Sequence, residues 1–291
     1  MFDINNVFED YGRTPKLKAP PKSCDTHSHV YGPLDKFPQR QELKSRFAPV
    51  DVYRNMLDRI GIERCVIVHS SFYGFDNSCS LDAIAALGPD RARGTCVIPI
   101  NTPKSELQRL HDGGMRGVRV SHGADDLSPE NAVDLARLVA PYGWILQFQD
   151  KRPNWIADNA STFAQLPVPV VFDHFGRTSP EEGVDSSEFK AMVTLVEKGN
   201  AWVKISGAHY SSKNQHPGNE DMAERLRILI DARPDRLIWA LNWPFPDYPF
   251  ESGVDADSAD FLNQLLHWEV DEQTRKMILA TNPGNLFGFD D

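Results

Sequence analysis

Residues 168–174 read Val168-Pro169-Val170-Val171-Phe172-Asp173-His174, a short apolar run that stops in two ionisable groups. Branched and aromatic side chains in an unbroken run suit a strand buried on both faces, as in a parallel sheet. The terminal Asp-His pair serves no packing purpose there. The same pattern recurs along the chain. Strands are predicted at 23–28, 64–69, 94–100, 116–121, 144–149, 168–173, 201–206 and 236–241. Strand after strand closes on polar groups: His27 and His29; His69, Ser70 and Ser71; Arg119 and Ser121; Gln147 and Gln149; Asp173 and His174; Lys204 and Ser206; Asn242.

Helical patterns fill the intervals at 51–60, 78–87, 104–112, 129–140, 155–165, 186–198, 219–232 and 256–268, with a last helix at 271–280. Thr102-Pro103 and Ser128-Pro129 read as N-caps followed by a proline at the first helical position. Such alternation points to a parallel α/β sheet. In a closed barrel every C-terminal strand end faces one mouth, where barrel enzymes place their chemistry. In an open sheet the same groups would be strung along an edge. No glycine-rich phosphate turn follows the first strand. The reading is a (β/α)8 TIM barrel, a single domain over 23–291 with an extended polar N-terminal arm over 1–22. That arm either crosses to a partner subunit in a homo-oligomer or closes the bottom of the barrel.

The 291 residues are 41% hydrophobic and 25% charged, which excludes disordered, collagenous and disulfide-scaffold chains. A formal net charge of −10 argues against nucleic acid or an anionic membrane as partner. It leaves room for a local basic mouth of His27, His29, Arg119, His174, Arg177 and Lys204. Cys24, Cys65, Cys79 and Cys96 are too scattered for a disulfide framework and read as buried thiols. The opening MFDINNVFEDYG lacks the pattern of a signal peptide, and no apolar stretch nears the ~20 residues of a membrane helix. A cytoplasmic location is expected.

The densest chemistry lies in Asp25-Thr26-His27-Ser28-His29. Residues two apart on a strand share a face, so His27 and His29 can converge on one point. Such a pair suits either a divalent metal or the polarisation of a substrate oxygen. Two histidines satisfied by local hydrogen bonds are the plainer alternative. His174 ends the sixth strand and Asn242 the eighth. In a barrel the eighth strand adjoins the first, which should bring Asn242 beside His27 and His29.

These landmarks resemble the amidohydrolase superfamily, and the branch of 2-pyrone-4,6-dicarboxylate lactonase and related lactonases in particular. The resemblance rests on Asp25-Thr26-His27-Ser28-His29, Gly113-Gly114-Met115-Arg116-Gly117-Val118-Arg119, Asp173-His174-Phe175-Gly176-Arg177, Trp243-Pro244 and Thr281-Asn282-Pro283. It implies a distorted barrel and a hydrolase that opens a small anionic lactone in the catabolism of aromatic or sugar acids. It also implies catalysis by His27, His29, His174 and position 242, with the histidines hydrogen-bonding the lactone carbonyl. Substrate would be held by Arg119, Arg177, Ser71, Tyr73, Gln149, Lys204, His209 and Tyr210, although Arg177 equally suits pairing with a nearby carboxylate, and Lys204 could instead be a structural charge paired with Asp173.

Metal-dependent members use further ligands on strands five and eight. Gln147, Gln149 and Asn242 are neutral and poor zinc donors, so no metal is expected to be required. A weak zinc site at His27 and His29 is the lesser alternative. Asn242 stands where the family carries an aspartate, and an amide cannot take a proton from water. Either Asn242 is a substitution that inactivates this form, the reading favoured here, or another group serves as base. A second arginine expected after strand four is replaced by Ser121-His122-Gly123-Ala124-Asp125. A lactone isomerase and a non-catalytic lactone-binding protein are the competing functions.

Overall fold

A computed structural model describes residues 12–40, 47–121, 131–214, 217–245 and 257–289. Eight strands, β1 (Cys24–Ser28), β2 (Arg64–Val68), β3 (Ala92–Cys96), β4 (Met115–Ser121), β5 (Ile145–Gln149), β6 (Val170–Phe172), β7 (Ala201–Ile205) and β8 (Leu237–Trp239), run parallel in sequential order. Eight helices alternate with them: α1 (Val50–Ile60), α2 (Ser78–Leu87), α3 (Lys104–Asp112), α4 (Ala132–Val139), α5 (Trp155–Phe163), α6 (Ser187–Glu197), α7 (Met222–Ala232) and α8 (Ser258–His267).

The sheet closes on itself between β1 and the segment after β8. Thr26 Oγ1 donates to the Trp239 carbonyl at 2.8 Å, and the Asn242 and His29 amides donate to the carbonyls of His27 and Trp243, each at 2.8 Å. The fold is therefore the expected (β/α)8 barrel. Its floor is a layer of Cys24, Val66, Ile145, Val171, Trp202 and Ile238, sealed by Phe287 and Phe289 from the C-terminal segment. All four cysteines are buried free thiols. Among the described residues, no helix is long and apolar enough to cross a membrane.

Local chemistry explains several element ends. Ser186 Oγ accepts from the Phe189 amide and Asp257 from the Ala259 amide, capping α6 and α8. Gly61 ends α1 in the left-handed conformation, with φ 77°. Two expectations are corrected. Thr102 does not cap α3, because its hydroxyl turns back to the Pro99 carbonyl at 2.7 Å and Pro103 itself precedes the first helical residue. The terminal helix does not stop before Asn282-Pro283. It runs from Glu272 through a π turn at Met277–Thr281 into Asn282–Phe287, with Pro283 just past the π turn. The Ser128-Pro129 start and residues 122–125 lie outside the described residues. Of the arm, residues 12–22 are described: Arg13 pairs with Asp260, and the Lys16 and Leu17 amides both donate to Asn263 of α8.

Candidate active site

Period-two alternation from Cys24, which faces the barrel floor, would turn His27 outward. The β1–β2 register instead shifts between Asp25 and Ser28. A bulge of this kind re-aims a side chain at the cost of local ladder bonds. Asp25 points outward and accepts from Tyr53 Oη of α1 at 2.7 Å, from the Leu241 amide at 2.9 Å and from the His27 amide at 3.1 Å. It thereby fastens β1, α1 and the end of β8 together. Burial raises the Asp25 carboxyl to about 6 despite these three donors.

Past the bulge His27 points inward. Its Nε2 lies 3.2 Å from His29 Nε2, and its ring centroid is 4.6 Å from that of His174. His29 Nδ1 sits 2.8 Å from the Val68 carbonyl at the end of β2. A carbonyl only accepts, so Nδ1 carries the proton and the neutral ring directs an Nε2 lone pair at His27. Neutral His27 has one proton: on Nε2 it meets that lone pair and leaves Nδ1 to accept from Lys204 Nζ, 3.3 Å away, whereas on Nδ1 it donates to Asp173 Oδ1 at 3.2 Å. With its N–H on the Val68 carbonyl, neutral His29 turns its Nε2 lone pair toward the mouth.

Beneath the rings lies an ion pair that is wholly buried. Asp173 Oδ1 is 3.2 Å from Lys204 Nζ, and its Oδ2 accepts from Gln147 Nε2 at 2.9 Å. Burial alone would raise Asp173, but Lys204 and His27 overcome it and hold the carboxyl well below its ordinary range. Burial lowers Lys204, against the pull of Asp173. Lys204, one of the candidate substrate ligands, therefore belongs to the floor of the site rather than to its accessible wall. Its alternative reading as a partner of Asp173 matches the geometry.

Asn242 has φ 65° and His174 φ 55°, left-handed values that Asn and His tolerate better than most residues. Asn242 Nδ2 donates to Tyr210 Oη at 3.3 Å, and His174 Nδ1 meets Ser206 Oγ at 2.8 Å. Arg177 lies 3.6 Å over the Tyr210 ring, whose centroid is 4.0 Å from that of His209. These residues of the sixth, seventh and eighth strand ends form one side of the mouth.

On the other side a cavity of about 570 Å³ is lined by His29, Tyr31, Ser70, Ser71, Phe72, Arg119, Ser121, Gln149 and residues 150–153. Arg119 is braced by the His69 carbonyl at 3.0 Å and by Gln149 Oε1 at 2.7 Å. Tyr73 is buried with its hydroxyl toward Gln39 Nε2 at 3.4 Å, whereas Phe72 and Tyr31 line the cavity. The sequence reading missed Tyr31, although it follows His29 by two residues on a shared strand-like face. It also missed Asp173 as a brace for His27, and Asp150 and Arg152, which stand in a loop without periodicity.

His27, Asp173 and His174 offer ligand atoms within 4.8 Å of one another. Lys204 Nζ and Gln147 Nε2 compete with a divalent ion for the oxygens of Asp173.

Burial holds His27 and His69 down to about 4 from 6.5, and holds His29 and His174 well below their ordinary range. The unfolded chain therefore binds more protons than the folded one between pH 6.5 and about 4, so stability is lost as pH falls through that window. Asp25, raised from 3.8 to about 6, acts oppositely: its contribution is complete below 3.8 and lost as pH rises through 6. Glu188, raised by burial from 4.5 to about 7, acts as Asp25 does, and four rings against two carboxyls leave acidification destabilising. A net uptake of about two protons amounts to roughly 2.7 kcal/mol per pH unit. Melting curves should show Tm falling by roughly 5 °C or more between pH 6 and pH 5; an unchanged Tm would refute the assignment of these rings as neutral.

A closed barrel with its polar groups gathered at the C-terminal mouth has the architecture of a barrel enzyme. The amidohydrolase family model Amidohydro_2 matches residues 24–289, and the chain belongs to that family. It is 34% identical over 281 residues to a 4-sulfomuconolactone hydrolase of Hydrogenophaga intermedia, covering 94% of this chain and 91% of that protein. It is 30% identical over 292 residues to a 2-pyrone-4,6-dicarboxylate hydrolase of Comamonas testosteroni, covering 94% and 92%. A D-galactarolactone isomerase of Agrobacterium fabrum is 28% identical over 281 residues, covering 95% and 94%.

Proposed function

We propose that this chain hydrolyses a small anionic lactone, and that Asn242 holds it in a slow form. The observation that carries the reading is the His27–His29–His174 cluster adjoining a cavity that also contains Arg119. The His174 ring, with Nδ1 on Ser206 Oγ, is placed to polarise the lactone carbonyl through Nε2–H and to stabilise the oxyanion as water adds to the carbonyl carbon. His27 adds a second donor by sharing an Nε2–H between His29 Nε2 and the substrate oxygen. An aspartate at 242 would take the proton of the attacking water and return it to the leaving ring oxygen. Asn242 can orient that water but has no basic lone pair. Relatives acting on sulfomuconolactone and pyrone dicarboxylate support a cyclic ester as substrate, and catabolism of aromatic or sugar acids as the setting.

No divalent ion is required in this scheme, because Lys204 supplies the buried positive charge. The test is acid release from carboxylated and sulfonated γ-lactones before and after dialysis against a chelator. Equal proton release in both samples is expected. Loss of turnover restored by zinc would overturn metal independence. The galactarolactone isomerase relative favours a second reading, acyl transfer between substrate hydroxyls, in which the starting lactone disappears without release of acid. Tight binding with neither outcome, even in Asn242→Asp, would mark a binding protein.

A further inference from the structure

The cavity wall toward β4 and β5 carries three cationic side chains, Arg119, Lys151 and Arg152, against one carboxylate, Asp150. This is a local excess of positive charge in a chain whose net charge is −10. We propose that Arg152, aimed by Asp150, determines specificity by receiving, together with Arg119, an anionic substituent of the substrate. The proposal rests on the reading of this mouth as a lactone site.

Asp150 is sunk, with 1% of its side chain exposed, while 41% of the Arg152 side chain is exposed. Arg152 Nε lies 3.2 and 3.0 Å from Oδ1 and Oδ2 of Asp150, and Nη2 lies 2.7 Å from Oδ2. The Arg152 amide also donates to Oδ1 at 2.9 Å. One carboxylate therefore sets both the backbone turn and the plane of the guanidinium. A cation already held in place loses little rotamer freedom on binding. The Nε–Nη2 edge is given to Asp150, and the opposite Nη1–Nη2 edge of the planar guanidinium matches the oxygens of a carboxylate or a sulfonate.

Arg119 is braced in the same way by the His69 carbonyl and Gln149. The hydroxyls of Ser70, Ser71 and Ser121 add neutral donors to the same wall. His29 belongs to this wall as well, so one small molecule can place its charged arm against the arginines and its ester against the histidines. Asp150 offsets part of the charge of Arg152. The alternative is that Asp150 and Arg152 merely stiffen the loop.

The experiment compares Arg152→Gln and Arg152→Lys with the parent chain on three γ-lactones: one with a carboxymethyl arm, one with a sulfonate and one uncharged. Arg152→Gln should raise KM roughly tenfold or more for a charged lactone, the scale of a lost charge-assisted hydrogen bond. It should change KM for the uncharged lactone less than twofold. Arg152→Lys should recover only part of the loss, because it restores charge without the fork. A loss confined to the carboxylate or to the sulfonate supports the proposal and names the natural substituent. Equal losses on charged and uncharged lactones, or none on any, overturn it. Calorimetric binding of the same three molecules keeps the two readings apart. Charge-selective weakening without turnover in the parent would sustain Arg152 and reject hydrolysis, whereas unselective binding would reject the role of Arg152.

Discussion

Asn242→Asp raises lactone turnover by about 10²–10⁴-fold, the usual contribution of a positioned general base. The backbone admits the change, since φ 65° is a conformation that Asp shares with Asn. Tyr210 Oη, which now accepts from Asn242 Nδ2 at 3.3 Å, would rotate its proton to donate to the new carboxylate. Arg177, stacked on Tyr210, stabilises negative charge on that side of the mouth. Burial of position 242 acts in the opposite direction, raising the new acid toward neutrality, where a base works best. The effect should lie in kcat with little change in KM, because the charge matters mainly as the water proton moves. Unchanged turnover would show that position 242 is not the base position and that the proton leaves by another route.

The second large effect concerns stability. Lys204→Met should cost about 3–5 kcal/mol, because it strands the Asp173 carboxylate in a wholly buried place with only Gln147 and His27 as neighbours. That is a large share of the ~5–15 kcal/mol that holds a typical domain together. The same substitution frees His27 to move its proton to Nδ1 and donate to Asp173, which would set its Nε2 lone pair against that of His29. Removing the charge as well, in Lys204→Met with Asp173→Asn, should recover much of the loss, since no unpaired ion then remains buried. Urea unfolding of the single and double variants measures both quantities. A single-variant loss below about 1 kcal/mol, the range of an exposed pair, would contradict the buried linkage.

Much of the barrel was legible because its signals are local. Each strand is a short apolar run, each helix carries its own period, and eight repeats of the pair leave few topologies. The strand-end rule also located His27, His29, His174, Arg119 and Asn242 correctly at one mouth, because parallel strands in sequential order bring all their C-terminal ends together. Roles were harder to read than positions. Lys204 looked like a mouth residue because it lies one step before the end of its strand, yet the barrel interior buries it completely.

What only tertiary structure decided follows from contacts between distant parts of the chain. The shift between Asp25 and Ser28 turns His27 into the barrel, and no period-two reading contains an inserted residue. The proton on His27 is contested by His29, by Asp173 and by Lys204, 177 positions away, whereas that of His29 is assigned by a carbonyl on β2. The fork of Arg152 is set within two residues, but its relevance comes from Arg119 on the neighbouring strand end facing the same cavity. Amino-acid pattern determined which elements form and which end of each is polar, because those depend on short-range sterics and burial. Which polar atoms meet depended on ring closure, which brings Lys204, Asp173, His27 and His29 within hydrogen-bond reach of one another.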